Sequence, residues 1–217
     1  GQGKPGVLVS AGPSLDLILP HLHRIQKDFL IACVDTALPI LAKNNIQPDY
    51  VFSLDPQLDS TEYFIEYPTE KTKLVFTPTV NHNVLKNFSG ERYVVYKEGH
   101  HLSKDSQSAM KEKGTTQAGG SVACLALDML IHFGCDPVFL TGQDCAFAGK
   151  RYYSNHSQFN QKLQGRISRI TPLEKLHREK AQEKKQLTVK CTQGNPLLTD
   201  QVMYSYLRTL EHIIKAN

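Results

Sequence analysis

GVLVSAGPSLDLILPHL, residues 6–22, decides the fold of this chain. The apolar run at 6–10 predicts a buried strand, and AGPS at 11–14 predicts a tight turn. Leu15, Leu19 and Leu22 then follow at the spacing of one helix face. A strand that enters a helix through a short turn is the opening of a βαβ unit, so this stretch predicts an α/β protein.

The same order of strand, polar turn and helix recurs beyond this stretch. Further strands are predicted at 29–34, 50–54, 74–77, 92–96 and 138–141. Their apolar residues are mostly continuous rather than alternating, which is typical of strands buried on both faces. We therefore predict an α/β fold with a Rossmann-like, doubly wound and mostly parallel sheet. Residues 1–217 are assigned to a single domain.

The second half of the chain contains two strong helix signals and one polar region. Ser121 begins a helix whose apolar face runs from Val122 to Phe133, and Gly134 ends it. Thr199 is predicted to cap a final helix that continues through Ile214. The region from about 148 to 187 is polar and predicts a lid, with a solvated helix at 174–186, and a last strand is predicted at 188–191.

Composition excludes several function classes. The 217 residues carry 25 Lys and Arg against 21 Asp and Glu, and the net charge of +4 is too small for a dedicated nucleic-acid binder. No run of about 18 apolar residues occurs, so no association with a membrane is predicted. The start of the chain also lacks the layout of a signal peptide. The five cysteines form no C-x-x-C pair and are predicted to be buried thiols of a cytoplasmic protein.

Polar motifs cluster where the predicted strands end, which is where open parallel sheets bind their ligands. Gly12-Pro13-Ser14 opens one helix and Gly119-Gly120-Ser121 opens another, and helix starts with free N–H groups attract phosphate. An ordinary turn and a capped helix are the alternatives. Neither motif is a Walker A loop or a dinucleotide G-x-G-x-x-G sequence.

Three aspartates also lie at predicted strand ends, namely Asp35, Asp55 and Asp144. Metal ligands, ribose contacts, acid or base groups and helix N-caps are all consistent with such carboxylates. The nine histidines show no zinc-ligand spacing, so no metal site is predicted from them. His156 follows the Asp144 strand in the polar region, where an imidazole suits a general base; a surface histidine is the alternative.

Five motifs taken together resemble one known family. They are GPSLD (12–16), CVDTALPILAKNNIQPDYVFSLDPQ (33–57), GGSVACLALDML (119–130), GQDCAF (142–147) and PLLTDQVMYSYLRTLEHII (196–214). In this order they resemble the motility-associated-factor (Maf) family, bacterial proteins implicated in glycosylating flagellin with nonulosonic acids such as pseudaminic or legionaminic acid. The same domain family includes archaeal 6-hydroxymethylpterin diphosphokinases of the MptE type. The resemblance covers nearly the whole chain and is weakest from Lys97 to Thr116.

The resemblance implies a sialyltransferase-like, Rossmann-like core that uses a CMP-activated sugar. By this analogy, both Gly-containing helix starts hold the nucleotide phosphates. Asp35-Thr36 and Asp55 lie near the ribose or base, and Gln143 with Asp144 faces the sugar and the acceptor.

The chain departs from the family pattern at three places. Relatives commonly have Gly at Ser10, Tyr at Phe147, and Thr-His-Ala at Asn155-His156-Ser157. The tyrosine hydroxyl that Phe147 lacks implies a different sugar pocket.

From these residues and this resemblance, we expect a glycosyltransferase that moves a nonulosonic sugar from a CMP donor to a Ser or Thr hydroxyl of a protein such as flagellin. His156 is the expected base and Asp144 the substitute. Arg151, Tyr152 and Tyr153 are expected to contact the leaving group. No metal or cofactor is obligatory for this reaction.

Two alternatives stay open. One is an ATP-dependent diphosphokinase that holds Mg²⁺ on Asp35, Asp55 and Asp144. The other is a non-catalytic module that binds a nucleotide or a glycan.

Overall fold

The computed structural model describes residues 3–65, 67–97, 115–116, 119–147, 151–191 and 193–217. Its main sheet contains β1 (Gly6–Val9), β2 (Leu30–Val34), β3 (Tyr50–Ser53), β4 (Lys73–Phe76), β5 (Arg92–Val94) and β6 (Val138–Thr141). The strand order is β5-β4-β3-β2-β1-β6. Every neighbouring pair in this sheet is parallel, which confirms the predicted α/β fold with a parallel sheet.

Helices connect these strands and continue after them. They are α1 (Leu15–Ile25), α2 (Leu38–Lys43), α3 (His82–Asn87), α4 (Val122–His132), α5 (Gln158–Leu163), α6 (Leu173–Gln182) and α7 (Gln201–Ala216). A separate antiparallel hairpin pairs β7 (Gln186–Lys190) with β8 (Pro196–Asp200).

The order of the strands fixes where a ligand site can form. From β1 the chain steps outward through β2, β3 and β4 to β5, and it then returns to place β6 on the other side of β1. Right-handed crossovers put α1, α2 and α3 on one face of the sheet, and the reversal puts α4 on the other. The reversal therefore creates a crevice at the carboxyl ends of β1 and β6.

The core lies along the central strands. All four residues of β1 are buried, and α4 packs its buried side chains on β1, β2, β3 and β6. This explains the continuous apolar runs of the central strands, because each is covered on both faces. The same prediction is wrong for the edge strands β5 and β6, which are largely exposed because each has a neighbouring strand on one side only.

The region predicted as a lid contains more helix than expected. The solvated helix predicted at 174–186 corresponds to α6, which ends at Gln182, but α5 and a 3-10 turn at Gln164–Arg166 lie where a loop was expected. The last predicted strand corresponds to β7, and its partner β8 was not predicted.

The predicted N-cap of the final helix is wrong. Thr199 lies inside β8, where its hydroxyl donates to the carbonyl of Cys145 at 2.7 Å. The cap is Asp200, whose carboxylate accepts from the N–H of Met203 at 2.8 Å. The hairpin uses Thr199, so the helix starts one residue later.

The thiol prediction holds for most of the cysteines. All five are free, four are buried and Cys191 is half-buried. Within the described ranges, none of the helices combines the length and the apolar character needed to cross a membrane. The cytoplasmic location stays a prediction.

Candidate active site

The loops that follow β1 and β6 are bound to each other at the crevice. The N–H of Ser10 donates to the carbonyl of Thr141, and the N–H of Gly12 donates to the carbonyl of Gly142, both at 2.8 Å. The Ser10 hydroxyl donates to Oε1 of Gln143 at 2.6 Å. Two loops far apart in the sequence thus form one rigid wall of the site.

Two glycines permit this close approach. A Cβ at Gly12 would lie 2.2 Å from Oδ2 of Asp144 and 2.5 Å from the carbonyl oxygen of Gly142. Gly142 has φ +66°, and a Cβ there would lie 2.0 Å from the carbonyl oxygen of Ser10. Gly12 therefore makes room for the neighbouring loop; its predicted role at a nucleotide phosphate stays a prediction.

Asp144 occupies the N-terminal end of α1. Its Oδ2 accepts from the Ser14 N–H at 3.1 Å and from the Ser14 hydroxyl at 2.9 Å. A carboxylate is favourable there because the helix dipole is positive at this end. The donors that sequence analysis predicted for phosphate are satisfied by Asp144, so a phosphate at this turn has to displace that carboxylate.

The start of α4 is more open. The Ser121 hydroxyl caps the helix by accepting from the N–H of Ala123 at 3.2 Å. Gly120 is exposed, and a Cβ on it would meet the ring of Tyr206 at 3.3 Å. Among the described residues, no hydrogen-bond acceptor is found for the N–H groups of Gly120 and Ser121. Of the two predicted anion sites, this one has donors to offer.

Asp35 is a buried carboxyl group at the end of β2. Its Oδ2 accepts from the hydroxyl of Ser53 and its Oδ1 from the N–H of Thr36, both at 2.8 Å. Burial is the main cause that raises the pKa of Asp35 to about 6, partly opposed by these hydrogen bonds, and the charge of Asp55 adds to the rise. Asp55 follows β3, the strand next to β2 in the sheet, and its Oδ1 accepts from the N–H of Gln57 at 2.9 Å.

Three tyrosines have a raised pKa to which Asp35 or Asp55 contributes. Burial raises the pKa of Tyr63, with further contributions from Tyr153, Asp35 and Asp55. Burial likewise raises the pKa of Tyr153, with contributions from Tyr152, Asp35 and Tyr206. Burial also raises the pKa of Tyr206, opposed by the charge of Lys184, and Asp200 and Asp55 add to the rise. All three phenols stay protonated at neutral pH, so each can donate a hydrogen bond. We call Tyr63, Tyr153 and Tyr206 the tyrosine cluster.

Tyr152 has a different role from the tyrosine cluster. Its N–H donates to Nδ1 of His177 at 3.0 Å, and its hydroxyl donates to Oδ2 of Asp200 at 3.3 Å. Nζ of Lys184 donates to the same hydroxyl at 3.1 Å. The polar groups of Tyr152 are thus used within the protein, and its predicted contact with substrate stays a prediction.

The other predicted residues of the lid lie beside the loop after β1. The N–H of Ser154 donates to the carbonyl of Ala11 at 2.9 Å, and Arg151 forms an ion pair with Asp16 at 3.0 Å. His156 follows with an exposed side chain. The structure therefore places the candidate base on a segment that is bound to the crevice.

The predicted magnesium ligands are not gathered in one place. Asp144 lies at the start of α1, whereas Asp35 and Asp55 lie beyond β2 and β3. In the parts of the chain that the structure describes, no group of three or more His, Cys, Asp or Glu side chains is arranged to hold a metal ion.

Sequence reasoning did not identify Tyr63 or Tyr206 as site residues. Tyr63 lies in a 3-10 stretch, Leu58–Phe64, which carries no helical periodicity. Tyr206 lies on α7, where Tyr206, Leu210 and Ile213 recur at the spacing of one helix face, which is typical of a core position. The phenol on this otherwise apolar face was the available signal.

Comparison with known proteins gives three findings. The family model described as 6-hydroxymethylpterin diphosphokinase MptE-like matches residues 1–150. An uncharacterized protein of Treponema pallidum (strain Nichols) is 29% identical over 75 residues, which is 35% of this chain and 33% of that protein. The structure of the Maf glycosyltransferase from Magnetospirillum magneticum AMB-1 superposes with a TM-score of 0.72 at 16% identity. That superposition covers 99% of this chain and 30% of the glycosyltransferase, and it establishes the fold.

Proposed function

Because this chain belongs to the family described as 6-hydroxymethylpterin diphosphokinase MptE-like, we propose that it is a transferase whose substrate carries a nucleotide phosphate. Within this class we propose a glycosyltransferase that moves a nonulosonic sugar from a CMP donor to a protein Ser or Thr hydroxyl, flagellin being the model acceptor. The shared fold of a Maf glycosyltransferase supports this choice.

The observation that carries the proposal is the set of neutral donors around the start of α4. Within the described part of the chain no acceptor is found for the N–H groups of Gly120 and Ser121, and the ring of Tyr206 lies against Gly120. Tyr206 also contributes to the raised pKa of Tyr153. Glycosyl transfer from CMP places new negative charge on one phosphate, and such donors stabilise that charge as it develops.

The transfer step needs one base in addition. The acceptor oxygen attacks the anomeric carbon, the bond from that carbon to the phosphate oxygen breaks, and CMP leaves with the bonding electrons. We propose that His156 takes the acceptor proton, because its exposed ring lies on the segment bound to the loop after β1. Asp144 is the substitute, although its Oδ2 already accepts two hydrogen bonds from Ser14.

A diphosphokinase is the second candidate. The family description names that activity, and the neighbouring carboxylates of Asp35 and Asp55 are hard oxygen ligands of the kind that Mg²⁺ prefers. Mg²⁺ bound there with ATP would neutralise phosphate charge, but it would have to compete for Asp35 with the hydrogen bonds from Ser53 and Thr36. The third residue assigned to that metal, Asp144, lies elsewhere.

A thermal-shift screen tests the proposal against the alternative. CMP, CDP, ATP and GTP are each added with Mg²⁺ or with EDTA. We expect CMP or CDP to raise the melting temperature in EDTA, because a ligand at 100 times its dissociation constant adds about 2.7 kcal/mol of stability. Stabilisation by ATP with Mg²⁺ and none by CMP would replace our proposal with the diphosphokinase.

A matched pair of variants locates the site. Tyr206→Phe removes one donor of the tyrosine cluster, and we expect CMP affinity to fall about tenfold, the usual effect of losing a hydrogen bond to a charged group. Tyr93→Phe is the control, because Tyr93 lies on edge strand β5 and its hydroxyl donates to Glu91 at the surface. Equal affinities in the two variants would remove Tyr206 from the site.

A further inference from the structure

The structure assigns a positioning role to Asp16. Its carboxylate holds residues 151–156, which we call the lid strap, against the start of α1. Through Ser154 it also fixes the backbone of His156. The proposal rests on the proposed function in one respect only, namely that His156 acts on substrate from this position.

Both oxygens of Asp16 are used in holding the lid strap. Oδ2 accepts from Nη1 of Arg151 at 3.0 Å and from the N–H of Asn155 at 3.1 Å. Oδ1 accepts from the hydroxyl of Ser154. The Asp16 side chain is 15% exposed, so these hydrogen bonds are largely protected from competing water.

Ser154 links the Asp16 carboxylate to the backbone of His156. The buried Ser154 hydroxyl donates to Asp16 and accepts from the N–H of His156 at 3.2 Å. The N–H of Ser154 donates to Ala11, and its carbonyl accepts from Nδ2 of Asn160 at 2.8 Å. Three successive backbone N–H groups, at 154, 155 and 156, therefore have fixed acceptors. This leaves the backbone on the His156 side of the strap little conformational freedom.

The chemistry of an aspartate suits this position. Three donors converge on it, one of them the Arg151 guanidinium, and the two carboxylate oxygens accept from all three. Asp16 is not needed to cap α1, because Asp144 already occupies that end and the N–H groups of Leu15 and Asp16 donate to Gly12 and Pro13. Its carboxylate is therefore free to serve the strap.

Hydrogen exchange measured by mass spectrometry tests the contact itself. Asp16→Asn keeps the shape but loses the charge and one acceptor. We expect amides within 151–156 to exchange about tenfold to a hundredfold faster, as follows from losing a charge-assisted hydrogen bond, while amides of β1 and α4 keep their rates. Asp28→Asn is the matched control, because Asp28 is exposed. Unchanged exchange in the strap would overturn the proposal whatever the enzyme's activity.

Measurements of the transfer rate and of CMP affinity test whether the contacts of Asp16 matter for the reaction. In Asp16→Asn we expect a transfer rate lower by about a hundredfold, because misplacing a catalytic group by about 1 Å has such an effect. CMP affinity should fall much less, because Tyr153 is the one member of the tyrosine cluster on the strap, and the N–H groups at the start of α4 stay in place. A freed strap with an unchanged transfer rate would overturn the positioning role. A wild type that binds no CMP would contradict the proposed function, and the exchange result would still decide the role of Asp16.

Two further variants keep the test decisive if Asp16→Asn does not fold. Ser154→Ala removes the link to His156 but leaves Arg151 and Asn155 bound, so exchange should rise mainly at His156. Arg151→Gln removes the ion pair and should loosen the strap less than Asp16→Asn does. No acceleration in either variant would overturn the proposal.

Discussion

At the scale of single residues, the crevice depends on contacts between loops far apart in the sequence. Ser14 and Asp144 are separated by 130 positions, yet two hydrogen bonds join them. Gly12 lies between these loops with no space for a side chain. The motif that begins at Gly12 thus has a structural role in addition to any role in binding phosphate.

Gly12→Ala should destabilise the protein by about 2 kcal/mol or more. The new Cβ would overlap both Asp144 and the carbonyl oxygen of Gly142, and a backbone atom cannot move aside cheaply. Gly165→Ala is the control, because a Cβ there meets nothing within 4 Å. Urea denaturation measures both variants, and equal stabilities would show that the two loops separate easily.

Asp35 should make stability depend on pH. Burial raises the pKa of Asp35 from 3.8 to about 6, so the folded state binds the proton more tightly than the unfolded state does. The stability that this proton provides is fully present below about pH 4 and is lost as the pH rises through 6.

Asp35→Asn removes this dependence. The free energy of unfolding of the variant minus that of the wild type should therefore increase by on the order of 2 kcal/mol between pH 4 and pH 7. Denaturation across this pH range, with Asp28→Asn as the control, measures it. A difference that does not change with pH would show that Asp35 ionises as it does in the unfolded chain.

At the scale of elements, α7 begins on a residue that also binds the lid. Asp200 is fully buried, accepts from the N–H of Met203 and from the Tyr152 hydroxyl, and forms an ion pair with Lys184 at 3.5 Å. One carboxylate therefore links a helix cap, the aromatic residues of the lid and a half-exposed cation.

Asp200→Ala should cost about 3 kcal/mol of stability. The cap accounts for about 1 kcal/mol, and the buried Tyr152 hydroxyl left without its acceptor accounts for about 1 to 3 kcal/mol. Asp200→Ser can still cap the helix and should lose less. Thermal or chemical denaturation compares the two variants. Equal losses would mean that the cap contributes nothing.

The elements of the main sheet were predictable because their signals are local. β1, α1 and α4 carry continuous apolar runs, helical spacing and a capping Ser121, and each was predicted close to its observed bounds. β8 was not predicted, because its sequence PLLTD (196–200) is equally consistent with a loop before a helix. It becomes a strand by pairing with β7.

The candidate site was predictable only in part, for the same physical reason. Strand ends are visible in the sequence, so Asp35, Asp55 and Asp144 could be placed at one edge of the sheet. The strand order decides which of these carboxylates lie near each other. It also brings Asp144 to Ser14. The three hydrogen bonds of Asp16 to the lid strap depend on tertiary contacts that no local pattern encodes.

At the scale of the whole molecule, the reversal of strand order decides where the chemistry takes place. The crevice between β1 and β6, the open start of α4 and the lid strap all lie beyond the carboxyl ends of the parallel strands. A nucleotide bound by the donors of Gly120, Ser121 and the tyrosine cluster would contact this edge and no other part of the sheet.

A hydrogen-exchange difference map, recorded in EDTA with and without CMP, tests most directly whether the nucleotide binds at this edge of the sheet. We predict slower exchange in peptides that cover 119–124 and 151–156, because the bound phosphate would occupy the N–H groups at the start of α4 and the nucleotide would contact Tyr153 in the strap. Peptides of β4, β5 and α3 should not change. Protection confined to those outer elements, or no protection at saturating CMP, would contradict our assignment of the site.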